Sequence, residues 1–210
     1  MKSVSNEKPR PFFYLEWIGL NAITIVAAWY ISWAVISLIE IVLGSSIQVG
    51  GQTRITEDFL LLYVLFPIIG LLTGIIQFTL LRRYLPRMAG WITATLLGWL
   101  LPFIVGYLIT SFLAVGNSTL WIMLGMSLIG TIIALPQWWI LRQRVQHASR
   151  WILANGLGWG IIGMLNLVTS EPLPVLLALA LVPAIATGIV CWRILNLLPK
   201  HELESSILIQ

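Results

Sequence analysis

Apolar residues fall along the chain in six long runs, about 17–43, 60–81, 91–113, 120–141, 151–168 and 174–198, each separated from the next by a shorter polar segment. A helix needs about 20 apolar residues to cross the roughly 30 Å hydrocarbon core of a bilayer, and the runs approach or exceed that length. The fifth is the shortest. The pattern predicts an all-α protein, a single membrane domain over 1–210 folded as an integral membrane bundle of six transmembrane helices. Pro67, Pro102, Pro136 and Pro183 lie inside runs, where neighbouring helices can shelter a kink and satisfy the freed carbonyl. The first run is much longer than the core of a cleavable signal peptide and lacks a small-x-small ending, so it is expected to stay attached as a helix.

The positions of the positive charges predict the orientation, because cytoplasmic loops retain Lys and Arg during insertion. With the N-terminus inside, the inner segments hold Lys2, Lys8, Arg10, Arg82, Arg83, Arg87, Arg142, Arg144, Arg150, Arg193 and Lys200, and Arg54 alone falls outside. That asymmetry predicts both termini on the cytoplasmic side. The outer loops, about 44–59, 114–119 and 169–171, are correspondingly plain in charge, the first holding Glu57 and Asp58.

Composition agrees. Apolar residues make up 59% of the chain and charged residues 10%, against about a quarter charged in soluble domains, too few to cover a surface facing water. Eleven Trp residues point the same way, since indole favours the bilayer interface. The net charge of +4 sits in short turns next to apolar runs, which suits anionic lipid headgroups and not a nucleic-acid groove. Cys191, the single cysteine, has no intrachain partner, so no disulfide framework exists.

The middle runs repeat. One window reads Gln77-Phe-Thr-Leu-Leu-Arg82, then Trp91-Ile-Thr-Ala, then Gly98-Trp99; another reads Gln137-Trp-Trp-Ile-Leu-Arg142, then Trp151-Ile-Leu-Ala, then Gly158-Trp159. The offset is 60 throughout, and nine of 23 positions are identical. The copies, about 70–103 and 130–163, share one membrane orientation, which predicts a parallel two-helix repeat about an axis along the membrane normal. The outer two runs are candidate halves of a third copy. Thr187-Gly188-Ile189 and Leu195 echo Thr73-Gly74-Ile75 and Leu81, while Trp17-Ile18 and Asn21 echo Trp151-Ile152 and Asn155. A third copy requires the last helix to lie beside the first.

Each recurring residue has an architectural use. Arg82, Arg83, Arg87, Arg142, Arg144 and Arg150 are expected to meet lipid phosphate, the helix-ending Arg82 and Arg142 also offsetting a helix dipole. Trp91 and Trp151 are expected to anchor helices at headgroup level. Gly70, Gly74, Gly98, Gly156, Gly158 and Gly160 remove bulk so that helices approach closely. The pattern resembles uncharacterised tryptophan-rich multi-pass membrane proteins of cyanobacteria and related bacteria, in which a Gln-Trp/Leu-Arg turn is followed by Trp and then Gly-Trp. That resemblance covers about 70–163 and implies a bacterial inner or thylakoid membrane, with no activity attached.

Polar residues inside apolar runs are the candidates for function, since each is costly to place in hydrocarbon. Gln77 and Gln137 precede their repeat arginines by five residues; they would line a polar pocket or bond across helices, the second being favoured. Asn155 and Asn166 stand in the same position. Glu40 and Glu16 lie near the ends of the first run, where snorkelling or pairing, as of Glu40 with Arg54, competes with proton-coupled chemistry. His147 belongs to a basic turn and His201 to the tail, so no bis-histidine haem site is available, although pigment bound through water or a carbonyl stays open. No serine-hydrolase elbow, zinc-protease helix or phosphate loop occurs. The expectation is a protein that is not an enzyme and needs no cofactor: a scaffold or accessory subunit whose partners are lipids, copies of itself or a larger membrane complex, with no nucleic acid. The alternative is a small-molecule carrier or the substrate-capture component of a transporter, which a polar cavity at mid-membrane would favour.

Overall fold

The computed structural model describes residues 12–85, 88–112, 119–165 and 172–197. Most of them are helical: α1 (Phe13–Leu43), α2 (Thr56–Leu60), α3 (Phe66–Leu81), α4 (Trp91–Phe112), α5 (Thr119–Leu141), α6 (Ser149–Leu165) and α7 (Pro172–Asn196). Leu61–Leu65, between α2 and α3, forms a π-helical stretch. Pro67 follows it closely and has no N–H to donate to the carbonyl four residues back, that of Tyr63 within the stretch. Phe13–Leu43, Tyr63–Leu81, Leu120–Leu141 and Pro174–Asn196 are each long and apolar enough to cross a membrane. At 17 residues, α6 is shorter, as is the apolar stretch Trp91–Pro102 of α4.

The segment 44–59 is more ordered than a plain loop. Strands β1 (Ser46–Val49) and β2 (Gln52–Ile55) pair antiparallel across Gly50 and Gly51. Both glycines have positive φ, 59° and 79°, the backbone that a two-residue hairpin needs and that side chains disfavour. Buried Thr56 then ties the hairpin to the end of α1, its hydroxyl donating to the Gly44 carbonyl at 2.6 Å.

The helices form a ring. Each of α3 to α7 packs on its neighbour in sequence, and α1 lies against both α3 and α7. Small residues mark most of the seams. Gly70 and Gly74 of α3 meet Leu96, Trp99, Ile92 and Thr95 of α4, and Gly98 of α4 abuts the Ile133 carbonyl of α5. Gly156 and Gly160 of α6 face Thr131 and Ser127 of α5, while Gly158, on the other side of α6, meets Pro183 of α7. Gly188 of α7 sits against the Trp17 ring of α1.

Polarity is inverted relative to a protein in water. Large apolar side chains such as Ile41 and Val42, both 81% exposed, face outward around the ring, whereas Asn21, Ser32, Thr73, Thr95, Gln137, Asn155 and Thr187 are buried. Apolar exposure on this scale is stable against lipid and not against water. The chain is a helical membrane protein.

The turns that follow α3 and α5 have the same hydrogen bonds at positions 60 apart. Arg82 and Arg142 N–H donate to Phe78 and Trp138 carbonyls, and Tyr84 and Arg144 to those of Leu81 and Leu141. Trp91 and Trp151 N–H then donate to Met88 and Ala148 as the return helices begin. Both turns lie at one end of the bundle, the basic end, together with the start of α1 and the end of α7.

Candidate functional site

Three tryptophans that open helices at the basic end turn inward. Trp17, Trp91 and Trp151 are at most 1% exposed, and Trp151 packs edge-on against both others with ring centroids 5.8 and 5.9 Å apart. This corrects the expectation that Trp91 and Trp151 anchor helices among lipid headgroups: their rings fill the interior. Indole preference for the interface is overridden because each ring sits on the face of its helix that looks at the axis. The same layer includes Phe13, Leu81, Leu141 and Leu195, which close the basic end with apolar side chains.

One helical turn deeper, about 6 Å by helix rise, the same three helices carry Asn21, Thr95 and Asn155. Each bonds back to its own tryptophan carbonyl: Asn21 Nδ2 to Trp17 at 2.8 Å, Thr95 Oγ1 to Trp91 at 2.9 Å and Asn155 Nδ2 to Trp151 at 2.9 Å. The neighbouring helices add the glutamines and a threonine. Gln77 Nε2 donates to Asn21 Oδ1 at 2.9 Å, and Gln137 Nε2 donates to Gln77 Oε1 at 3.3 Å and to Thr95 Oγ1 at 3.0 Å. Gln137 Oε1 accepts from Trp151 Nε1 at 2.8 Å. Thr187 Oγ1 accepts from Trp17 Nε1 at 3.1 Å and donates to the Pro183 carbonyl at 2.7 Å. Every helix of the ring contributes at least one polar group to this layer.

Beside the network lies a cavity of about 40 Å³, lined on its polar side by Asn21, Thr73, Gln77, Gln137, Asn155 and Thr187. Ile25, Trp99, Ile133 and Trp159 close it away from the basic end, the Trp99 and Trp159 rings packing edge-on at 5.5 Å. Among the described residues, the lining contains no ionisable group, so its chemistry is that of neutral donors and acceptors: it can hold a small polar molecule or lock helices together. Among the described residues, no three metal-ligating side chains come together.

The other candidates lie elsewhere. Glu40 is half-buried in the last turn of α1 and does not line the cavity. Glu16 accepts from Arg83 Nη1 at 3.2 Å, both side chains about half exposed, which ties α1 to the turn after α3. Arg82, Arg142, Arg144 and Arg150 are exposed at the basic end. The Arg142 guanidinium lies over the Trp139 ring, its Cζ 3.4 Å from the centroid, with Trp138 at 4.8 Å. Arg87 and Asn166 lie outside the described residues.

Reading the sequence for embedded carboxamides misses Asn21, Thr95 and Thr187 as members of the layer. Asn21 and Thr187 stand at positions that echo the repeat, and Thr95 stands 60 residues before Asn155, which is a signal, although a threonine in an apolar helix is a weak one. No protein-family model, curated protein or solved structure matches the chain.

Proposed function

We propose that the protein is a non-enzymatic scaffold or accessory subunit of a membrane complex. One observation carries this reading: the polar groups at the axis are spent mainly on one another, next to a cavity with room for a few waters and no metabolite. A carrier needs groups left over to bind its cargo and a path by which the cargo leaves. The outward apolar face, by contrast, is extensive and suited to lipid or to another membrane protein.

In this reading the chain crosses the bilayer six times with both termini in the cytoplasm, and its unit is the two-helix hairpin. The matching turns after α3 and α5 support the two central copies. The contact between α1 and α7, with the Asn21 amide on the Trp17 carbonyl as the Asn155 amide is on the Trp151 carbonyl, supports a third copy made from the two ends of the chain. The exposed arginines of the basic end serve anionic lipid headgroups, with Arg142 held ready by its stacked tryptophan. The resemblance to tryptophan-rich bacterial proteins favours an inner or thylakoid membrane.

Chemical cross-linking in native membranes, mild-detergent isolation and native mass spectrometry test the assignment. The expected product is a defined assembly with copies of itself or with one membrane partner, retaining anionic lipid. Recovery as a lone monomer whose proteoliposomes pass a small polar solute would overturn it in favour of a carrier. In the same cells a cysteine at Gly51 should react with an impermeant thiol reagent and one at Gln146 should not; the reverse would invert the topology.

A further inference from the structure

We propose that the axial cavity is a binding site for ordered water that completes the polar layer. Its volume of about 40 Å³ exceeds the roughly 10 to 15 Å³ one water requires, and fits about three. A buried space stays dry when its walls are apolar, whereas this one is walled on its polar side by three carboxamides from Asn21, Gln77 and Gln137, a fourth from Asn155, and the hydroxyls of Thr73 and Thr187.

The bonding of those groups is uneven. Asn21 is used at both ends, its Nδ2 on the Trp17 carbonyl and its Oδ1 on Gln77. Asn155, its counterpart on α6, has its Nδ2 on the Trp151 carbonyl, and its Oδ1 has no donor among the described residues. Asn155 lines the cavity, so a water held there can supply a donor to its carbonyl oxygen. The origin of the space is equally specific. Helices α3 and α5 send glutamines toward the axis, whereas α7 faces the cavity with Pro183, Ala184 and Thr187, side chains too short to fill it. Trp17, Trp91 and Trp151 pack together on the basic-end side, so water held there forms no file toward that end.

Hydroxyl-radical footprinting of the protein in lipid nanodiscs tests this, because an X-ray pulse converts water to radicals on the spot and marks buried side chains that touch it. Like residues are compared: Ile133 at the cavity against buried Ile36 and Ile194, and Trp159 against buried Trp91. Oxidation of Ile133 and Trp159 severalfold faster than their controls is expected, with Ala184→Leu, which fills the cavity, returning both to control rates. Control-level oxidation of Ile133 and Trp159 in the unsubstituted protein overturns the proposal, whatever the fate of the variant.

Discussion

The hairpin of α3 and α4 and the hairpin of α5 and α6 share their turn geometry and nine of 23 residues, yet their corresponding polar groups have different partners. In the second, Gln137 Oε1 accepts the Trp151 indole within its own hairpin. In the first, Gln77 turns to α1, giving its amide to Asn21 and its carbonyl to Gln137, and Trp91 Nε1 is left buried with no partner among the described residues. The cause is crowding at the axis. Where the two glutamines meet, Gln137 donates and Gln77 accepts, and the Gln77 amide is directed to α1. Similar sequence thus sets the frame of each hairpin, and its place in the ring sets the hydrogen bonds.

The glycines sharpen the contrast most. Gly98 and Gly158 hold equivalent positions, but a Cβ at Gly98 would overlap the Ile133 carbonyl oxygen, part of the α5 backbone, whereas a Cβ at Gly158 would lie 3.1 Å from Pro183 Cα. Gly98→Ala should therefore force α4 and α5 apart and cost about 3 kcal/mol, the upper end for an overpacked core. Gly158→Ala should cost about 1 kcal/mol or less, since a shift of a few tenths of an ångström relieves it and alanine favours the helix. Reversible unfolding in mixed micelles, followed by circular dichroism, measures both. Equal losses would mean that the two seams are packed alike.

Much of this architecture is legible in the chain. The apolar runs locate the helices to within a few residues, and the offset of 60 marks the two congruent turns. What is illegible is long-range. Gln77 and Asn21 lie 56 residues apart, and no local signal pairs them. Trp91 and Trp151 look like interfacial anchors because indole in membrane proteins so often is one; only closure of the ring shows which way they point. The hairpin at Gly50 and Gly51 does have a sequence signal, a Gly-Gly pair between short strands, but one easily lost beside six long apolar runs.

The indoles supply the next test. Trp151→Phe and Trp91→Phe remove similar volume from similar surroundings, but only the first also breaks a hydrogen bond and leaves Gln137 Oε1 without its donor. Trp151→Phe should therefore cost about 1 kcal/mol more than Trp91→Phe, and the excess should disappear in a Gln137→Leu background, where that bond no longer exists. The same unfolding assay reads the cycle. An excess that survives Gln137→Leu would assign the difference to packing.

The smallest difference between the hairpins lies in their turns. Arg83 reaches Glu16 on α1, while the corresponding position after α5 is Gln143, which carries no charge. Both partners of that ion pair are about half exposed, so water and salt screen it, and ordering two long side chains offsets part of the attraction. Arg83→Gln, which makes the first turn resemble the second, should cost less than about 0.5 kcal/mol in dilute buffer and nothing measurable in molar salt. Unfolding at two ionic strengths separates the outcomes. A loss of about 2 kcal/mol that salt does not reduce would show that Arg83 holds α1 in the ring, and that closure of the bundle depends on a charge the second hairpin does without.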